Sequence, residues 1–263
     1  MPVSEPAADT ALLVDAAEAA GKIALGYWRR SPEAWDKPGD AGPVSEADLA
    51  VDRALHEELT AARPGYGWLS EETPDDAARL SQERVFIVDP IDGTRAFLAG
   101  DEAWAVSLAV AVGGRITAAA VHLPARGLTY AASLDTLATC NGLPIAASQR
   151  QDLEGADLMT NKANLAPAFW PGGLPEVKRS FRSSLAWRLC LAAEARADAM
   201  LTLRPTWEWD AAAGSLIAER AGCRISDRRG RALAFNRPEP QTDGVIAAPP
   251  ALHRALMTAL GAD

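Results

Sequence analysis

The chain has 263 residues and a formal net charge of −9, with 26 Lys and Arg side chains against 35 Asp and Glu. This excess of negative charge argues against a nucleic acid polymer as partner, because such a partner requires a basic surface. Hydrophobic residues make up 48% and charged residues 23%, which is typical of a globular enzyme, and no apolar run reaches the roughly 20 residues of a membrane-spanning helix.

Three cysteines, Cys140, Cys190 and Cys223, lie too far apart in the sequence to form a CxxC pair. An odd and scattered set of this kind predicts free thiols rather than a disulfide framework or a zinc site. The first 15 residues show no basic segment followed by an apolar core, so no secretory signal is predicted. We therefore expect a cytoplasmic protein without integral membrane association.

The N-terminal part is predicted to form two helices separated by a loop. Apolar residues recur at helical spacing from residue 9 to residue 29, and Ser31-Pro32 ends this first helix. Residues 35–43 are rich in Pro, Gly and Asp, which predicts a mobile loop. Ser45 is placed to cap a second helix over residues 46–63.

Short strands are predicted next. The run from Val85 to Val88 is β-branched and aromatic throughout, which predicts a buried strand that stops at Asp89-Pro90. Gly113-Gly114 predicts a hairpin between two later strands. The strands of this half are expected at residues 67–70, 85–88, 103–112, 115–122 and 128–133.

The rest of the chain mixes strands and helices in blocks as well as in alternation. That order favours layered sheets and helices over a uniform barrel. No GxGxxG follows a strand and no GxxxxGK[ST] is present, so nucleotide-loop folds are not supported. Strands are expected near residues 157–160 and 199–203, and helices near residues 184–197, 211–221 and 250–260.

The most informative segment, from Asp89 to Thr94, reads Asp-Pro-Ile-Asp-Gly-Thr. Its proline fixes one backbone torsion and its glycine permits a tight turn. The carboxylates of Asp89 and Asp92 can therefore converge, with the Ile91 carbonyl facing the same space. Hard cations such as Mg²⁺ prefer this oxygen-only environment. The alternative is a simple surface turn, since Asp, Pro and Gly are common in turns.

Further carboxylates stand at the ends of predicted elements. Glu71-Glu72 follows a strand, Asp210 begins a helix of small residues, and Asp48 lies just after Ser45. Two like charges about 5 Å apart repel by roughly 3 kcal/mol at an effective dielectric constant near 20. If these groups converge, divalent cations are the natural compensation. If they do not, each is a cap or a surface acid.

Three segments in this order, residues 69–72, 89–94 and 209–214, resemble the inositol monophosphatase superfamily. The resemblance runs from about Ala11 to Leu260. It implies an α/β fold of layered type, the five-layered α/β/α/β/α sandwich of inositol monophosphatases and fructose-1,6-bisphosphatases. It also implies a magnesium-dependent phosphatase that hydrolyses a phosphate monoester on a small soluble molecule.

The resemblance also implies a division of the chain and a set of metal ligands. Residues 1–133 would be an α+β half with most of the metal ligands, and residues 134–263 an α/β half with Asp210 and the substrate-side residues. The first of two Mg²⁺ ions would be held by Glu71 and Asp89 with the Ile91 carbonyl. The second Mg²⁺ would be held by Asp89, Asp92 and Asp210.

Catalytic roles are implied for three residues. Asp48 would help bind a weaker third ion or orient water, and Thr94 with Glu71 would position the attacking water. The backbone N–H groups of Gly93 and Thr94 would cradle the phosphate at a helix N-terminus, which is a natural anion site. No organic cofactor and no covalent nucleophile is expected. The histidines, His56, His122 and His253, lie apart from these motifs and are expected to be structural.

Within the superfamily, the sequence is most similar to 3′(2′),5′-bisphosphate nucleotidases of the CysQ type. Ser70 stands where inositol enzymes usually carry glycine, and residues 94–97, 206–210 and 234–238 also resemble that branch. The substrate that this similarity implies is 3′-phosphoadenosine 5′-phosphate, a by-product of sulfate assimilation, with inhibition by lithium. The expected partner is thus a small phosphorylated substrate, and a homodimer is left open.

One stretch departs from the nucleotidase pattern. Gly-Ser-Ser-Leu-Lys appears here as residues 182–186, with Arg182 and Ala186 in place of the glycine and the lysine. Arg182, Ser183 and Ser184, with Asp210, are still predicted to bind the substrate. Arg182 either supplies the missing lysine charge or is a surface residue, and Lys162 is a second candidate to meet a 5′-phosphate.

Two features leave the substrate open. Trp207 could stack an adenine or belong to the core, since base stacking and core packing both use aromatic rings. The alternatives are a phosphatase of the same fold that acts on inositol phosphate, histidinol phosphate or a sugar phosphate, and an inactive binding or regulatory protein on this scaffold.

Overall fold

The computed structural model describes residues 4–40 and 42–262. The helices that the sequence predicts are all found, and a short helix after Gly93 is found in addition. The first two helices begin with serine caps, since the hydroxyls of Ser4 and Ser45 accept hydrogen bonds from N–H groups of the first turn. The helices are α1 Glu5–Tyr27, α2 Glu46–Ala62, α3 Thr94–Leu98, α4 Leu185–Ala193, α5 Glu208–Arg220 and α6 Pro250–Ala259.

The strands form two large sheets and two small two-stranded pairs. In chain order the strands are β1 Ala34–Asp36, β2 Pro43–Ser45, β3 Gly67–Ser70, β4 Arg84–Asp92, β5 Ala105–Val112, β6 Arg115–Leu123, β7 Leu128–Ser133, β8 Thr139–Cys140, β9 Leu143–Pro144, β10 Asp157–Met159, β11 Lys178–Ser180, β12 Ala199–Thr202, β13 Thr206–Trp207, β14 Arg224–Ser226, β15 Gln241–Thr242 and β16 Val245–Ala248. The seven-stranded sheet has the order β3-β4-β5-β6-β7-β8-β9, and the five-stranded sheet has the order β11-β10-β12-β16-β14. The pairs are β1-β2 and β13-β15.

The layers follow from which helices pack on which sheet. Helices α1 and α2 cover one face of the seven-stranded sheet. Helices α4 and α5 lie between the two sheets and contact both of them. Helix α6 packs on the outer face of the five-stranded sheet. This succession confirms the predicted five-layered α/β/α/β/α sandwich.

The segment predicted as a loop, residues 35–43, is partly extended instead. Strand β1 pairs antiparallel with β2, so that Trp35 faces Val44 and Asp36 faces Pro43. Pro43 is tolerated because this two-stranded pair has free edges, where a missing N–H donor costs nothing. The turn between the strands carries Lys37, whose backbone N–H donates to the Gly42 carbonyl.

Strand β4 continues past the predicted stop at Asp89-Pro90 and ends at Asp92. Its neighbour β3 ends at Ser70 opposite Val88, so no strand on that side needs the missing N–H of Pro90. On the other side, the pairing of β4 with β5 shifts register between Asp89 and Asp92. Because of this bulge, the two aspartates line one cavity although they are three residues apart.

The predicted division at residue 133 stays a prediction. The seven-stranded sheet includes two short strands beyond that point, β8 and β9, so the sheet itself ends at Pro144. The two sheets are joined across α4 and α5, and the Ser107 hydroxyl in β5 donates to the Trp209 carbonyl in α5. Among the residues described, none of the helices combines the length and apolarity that crossing a membrane requires.

The three histidines contact neighbours away from the acidic motifs. His122 Nδ1 lies 2.9 Å from Thr129 Oγ1, and His253 Nε2 lies 2.8 Å from Ser226 Oγ. His56 meets the Trp68 ring edge-on. Burial lowers the pKa of His253 to about 4, with Arg224 and Arg254 acting in the same direction. These contacts give each histidine a structural partner.

Candidate active site

Three carboxylates from different elements meet at one point of the structure. Glu71 follows β3, Asp89 lies in β4, and Asp210 stands in the first turn of α5. Each offers an oxygen atom, and these three atoms all lie within 4.8 Å of one another. The strand ends and the helix start therefore converge, as the family resemblance implies, from positions up to 139 residues apart.

This cluster is electrostatically unfavourable by itself. Asp89 is 1% exposed, and its Oδ2 has no hydrogen-bond partner among the residues described. Burial raises the pKa of Asp89 well above its usual value, and Glu71, Asp92 and Asp210 raise it further. Burial likewise raises the pKa of Asp210, and repulsion from Asp92 and Glu71 raises it further. An unpartnered buried oxygen in an oxygen-only donor set fits a hard divalent cation such as Mg²⁺.

Lys37 supplies a positive charge at the edge of the cluster. Its Nζ lies 2.6 Å from Glu71 Oε1 and 3.0 Å from Glu72 Oε1. Burial raises the pKa of Glu72 to about 7, repulsion from Glu71 adds to this rise, and Lys37 opposes it. Lys37 lies in the turn between β1 and β2, and its ammonium group thus balances part of the negative charge of the cluster.

Asp92 lies beside the cluster but directs its oxygens elsewhere. It accepts hydrogen bonds from Ser184 Oγ at 2.6 Å, from Leu185 N at 3.1 Å and from Ala186 N at 2.7 Å. The carboxylate thereby caps the N-terminus of α4, a favourable place for negative charge. Asp92 also lines the cavity of the cluster. Its role as a metal ligand stays a prediction.

Asp48 and Thr94 form a polar pair next to the cluster. Thr94 Oγ1 lies 3.2 Å from Asp48 Oδ1 and 3.2 Å from the Ile91 carbonyl oxygen. The other oxygen of Asp48 accepts from the backbone N–H and the hydroxyl of Ser45, at 2.9 Å and 2.6 Å. Burial raises the pKa of Asp48, and these hydrogen bonds oppose the rise. The pair is fixed in place at the start of α2 and α3.

The cluster opens into a cavity of about 350 Å³. Gly93 and Thr94 line it, as does Ser183. Gly93 has φ +99°, and a Cβ at this position would lie 2.9 Å from the Ala103 carbonyl oxygen. Glycine is therefore required for the turn that leads from β4 into α3. Phosphate binding by the Gly93 and Thr94 N–H groups stays a prediction at this place.

Only some of the residues predicted to bind the substrate lie at this cavity. Ser183 faces the cavity, whereas Ser184 is fully buried and binds Asp92 through its hydroxyl. Arg182 is exposed, donates to the Phe181 carbonyl and lies over the Trp187 ring. Lys162 borders a separate, apolar groove. Neither Arg182 nor Lys162 lines the cavity at the acidic cluster, and their contacts with substrate stay predictions.

A second cavity, of about 200 Å³, adjoins the first and shares Asp210 with it. Arg188, Arg204 and Trp207 line this second cavity. Neither arginine stands out in the sequence as a candidate site residue. Arg188 had one usable signal, since it is a lone charge within the apolar segment Leu-Ala-Trp-Arg-Leu-Cys-Leu-Ala-Ala. Arg204 had none, because exposed arginines in loops are common.

Comparison with known proteins gives matches over nearly the whole chain. The model of the inositol monophosphatase family matches residues 6–262. A 3′-phosphoadenosine 5′-phosphate phosphatase of Mycobacterium leprae is 35% identical over 251 residues, which cover 88% of this chain and 86% of that protein. A histidinol-phosphatase of Chlorobaculum parvum is 31% identical over 261 residues, which cover 96% of both chains. A solved IMPase of Thermotoga maritima is 25% identical, with a TM-score of 0.82 and 94% of each chain covered.

Proposed function

The chain belongs to the inositol monophosphatase family and is a phosphatase, and from this premise we propose that it removes the 3′-phosphate of 3′-phosphoadenosine 5′-phosphate. The observation that carries the proposal is the second cavity, which continues from the acidic cluster at Asp210 and is bordered by Trp207. When the phosphate group of a substrate is bound at the cluster, the rest of that substrate would lie in this second cavity. The name of the Mycobacterium leprae relative supports the same substrate.

Trp207 has the geometry of a stacking surface for a base. It lies parallel to Trp209, with ring centroids 4.8 Å apart and an interplanar angle of 8°. Trp209 is buried, whereas Trp207 is 40% exposed and borders the cavity. A base that stacks on an aromatic side chain gains about 1–3 kcal/mol, and the buried Trp209 holds the platform rigid from behind. An inositol ring has no π-face and would gain nothing comparable.

We assign the metal-binding role to the acidic cluster. Glu71, Asp89 and Asp210, with the Ile91 carbonyl and Asp92, would hold two Mg²⁺ ions, with Asp48 near a third. The chemistry that bound Mg²⁺ supplies is charge neutralisation of the phosphate and a lower pKa for bound water. The match to this metal-dependent family and the unpartnered Asp89 oxygen both support the assignment.

The protein groups that handle the attacking water are Thr94 and Asp48. When the Thr94 hydroxyl donates to Asp48, its oxygen lone pairs can accept a hydrogen bond from water and orient that water toward phosphorus. The water oxygen then bonds to phosphorus while the bond between phosphorus and the 3′-oxygen breaks. One proton of the water ends on the 3′-oxygen and the other stays with the phosphate, so that AMP and inorganic phosphate leave.

The proposed setting is the cytoplasm, in sulfur metabolism, and lithium inhibition belongs to the same proposal. The three cysteines are free thiols, which agrees with a reducing compartment. Lithium, a small cation, would occupy an acidic site without supporting turnover.

A comparison of kcat/KM between substrates tests the proposed function. At saturating Mg²⁺, we expect 3′-phosphoadenosine 5′-phosphate to exceed inositol 1-phosphate by about tenfold or more, because base stacking alone contributes about 1–3 kcal/mol. Histidinol phosphate, whose imidazole ring is smaller than adenine, should fall between the two. The Trp207→Ala variant should lose most of this preference. A wild-type preference for either of the other two esters would overturn the substrate, while leaving the phosphatase activity in place.

A further inference from the structure

The residues on either side of Glu71 are tied to helix α2 by one buried carboxylate. The Ser70 hydroxyl donates to Asp52 Oδ1 at 2.5 Å, and the Thr73 hydroxyl donates to Asp52 Oδ2 at 2.6 Å. Asp52 belongs to α2 and is 8% exposed. Its two oxygens therefore hold both ends of the short segment that follows β3 and carries Glu71 and Glu72.

Two further donors indicate the direction of these hydrogen bonds. Trp68 Nε1 donates to the Thr73 hydroxyl oxygen at 3.2 Å, and the Glu72 backbone N–H donates to the Ser70 hydroxyl oxygen at 3.3 Å. Because each hydroxyl oxygen accepts from an N–H group, its own proton goes to Asp52. The group at position 52 therefore has to offer an oxygen on each side. A carboxylate does so, whereas the amide of asparagine has an oxygen on one side only.

The backbone of Glu71 is fixed on its other side by strand β4. The Glu71 N–H donates to the Val88 carbonyl at 3.2 Å, which extends the pairing of β3 with β4 by one residue. Val88 directly precedes Asp89. In the described part of the chain, the only side chain that bonds the Glu71 carboxylate is that of Lys37. The placement of this carboxylate beside Asp89 therefore depends on the backbone that Asp52 and β4 hold.

Helix α2 also presents a carboxylate one turn earlier. Asp48 and Asp52 are four residues apart and thus lie on the same face of the helix. Asp48 pairs with Thr94, and Asp52 holds the segment that carries Glu71. One rigid helix thereby sets the spacing between the pair that would orient water and a proposed metal ligand.

We propose that Asp52, acting through Ser70 and Thr73, is a positioning residue for the metal ligand Glu71. The inference rests on the proposed metal role of the acidic cluster and goes beyond it, because Asp52 lines neither cavity. Residues that orient metal ligands from outside typically contribute about 10–100-fold to metal affinity. A Glu71 segment released from Asp52 would accordingly bind Mg²⁺ less tightly.

The first test measures the Kd for Mg²⁺ by calorimetry on the purified protein without substrate. Asp52→Asn and Thr73→Val should each raise this Kd about tenfold. Thr73→Val leaves the charge of Asp52 in place, so its effect reports the position of Glu71 rather than the loss of a charge. Thr73→Ser keeps the hydroxyl and should keep the wild-type Kd. So should the matched control Glu57→Gln, which removes a charge from the exposed face of the same helix.

The second test separates metal binding from substrate binding by kinetics with 3′-phosphoadenosine 5′-phosphate. In Thr73→Val, the Mg²⁺ concentration that gives half of the maximal rate should rise about tenfold. The KM for the substrate at saturating Mg²⁺ should not change, because neither Asp52 nor Thr73 lines a cavity of the site. An increase in this KM with an unchanged Mg²⁺ requirement would contradict the positioning role.

The outcomes distinguish this inference from the proposed function. If the wild type binds Mg²⁺ and Thr73→Val binds it equally well, the positioning role is refuted and the proposed function stands. The same holds if Asp52→Asn alone weakens binding, since the effect is then one of charge. If Thr73→Val weakens Mg²⁺ binding but the wild type prefers inositol 1-phosphate, the substrate is wrong and the positioning role stands. A wild type that binds no Mg²⁺ would overturn both.

Discussion

Asp89→Asn is expected to lower kcat at least about a hundredfold, because the variant would lose a ligand of the proposed Mg²⁺ that neutralises transition-state charge. In chelator, the same substitution is expected to stabilise the protein by about 1–3 kcal/mol, because it removes one of several like charges that lie close together. The new amide can donate to the carboxylates of Glu71 or Asp210. A purely structural aspartate would show the opposite effect on stability.

The stability of the metal-free protein should depend on pH in a direction that follows from the same repulsion between carboxylates. Because the pKa of Asp89 and of Asp210 is raised in the folded state, that state binds more protons than the unfolded chain. The contribution of these two groups to stability is therefore full below about pH 4, the ordinary aspartate value, and is lost as pH rises through their raised pKa values. Added Mg²⁺ should remove this loss in wild type.

Kinetics and thermal unfolding at pH 8, with chelator and with Mg²⁺, measure both effects. The control is Asp135→Asn, at an exposed aspartate of the turn after β7, which should match wild type in rate and in unfolding midpoint. If Asp89→Asn kept a near wild-type kcat, or unfolded at a lower temperature than wild type in chelator, the metal role of the cluster would be wrong.

Thr94→Val is expected to lower kcat by about two to three powers of ten while KM changes little, because the hydroxyl orients the attacking water but does not hold the substrate. Valine has nearly the shape of threonine, so the buried position stays filled. It leaves one oxygen of Asp48 without its Thr94 partner, which is expected to cost about 1–3 kcal/mol of stability.

Thr94→Ser is the matched variant, since it keeps the hydroxyl and loses only a methyl group. It should recover most of the rate, and both variants should retain a cooperative thermal transition. A kcat for Thr94→Val within a few-fold of wild type would show that Thr94 is a structural residue of the turn rather than a group that positions water.

The convergence of Glu71, Asp89 and Asp210 was predictable because each stands at the end of an element with a strong local signal. Glu71 directly follows β3, Asp89 lies near the end of the buried strand β4, and Asp210 stands in the first turn of the helix α5. Apolar periodicity and capping residues fix such elements locally. Their order in the chain then matches a known family, and the layered fold follows with it.

The surroundings of Asp92 depend on contacts that no local pattern encodes. Its carboxylate caps α4 from a position more than 90 residues away in the chain. The sequence shows Ser184 only as a hydroxyl near a helix start, and a substrate role was as compatible with that signal as a cap. Helix caps that come from a distant strand are visible only once the two halves are packed together.

Similarly, the sequence does not say which basic residue faces the site. Arg182 stood out within the nucleotidase pattern and Lys162 as a second cation that could meet a 5′-phosphate, yet neither lines either cavity. Arg188, six residues after Arg182, is turned inward by the helical period of α4. The bulge in β4 is a comparable case, because Asp89-Pro90 signals a strand end unless the neighbouring strand stops first.

The most direct measurement of the central claim is phosphate release from 3′-phosphoadenosine 5′-phosphate by the purified protein, first in excess chelator and then with Mg²⁺ restored. The expected result is no release in chelator, full recovery with Mg²⁺, and AMP as the nucleotide product in equal amount to phosphate. Release at an undiminished rate in chelator would contradict a metal-dependent phosphatase built on Glu71, Asp89 and Asp210, and no release with Mg²⁺ present would contradict the proposed substrate.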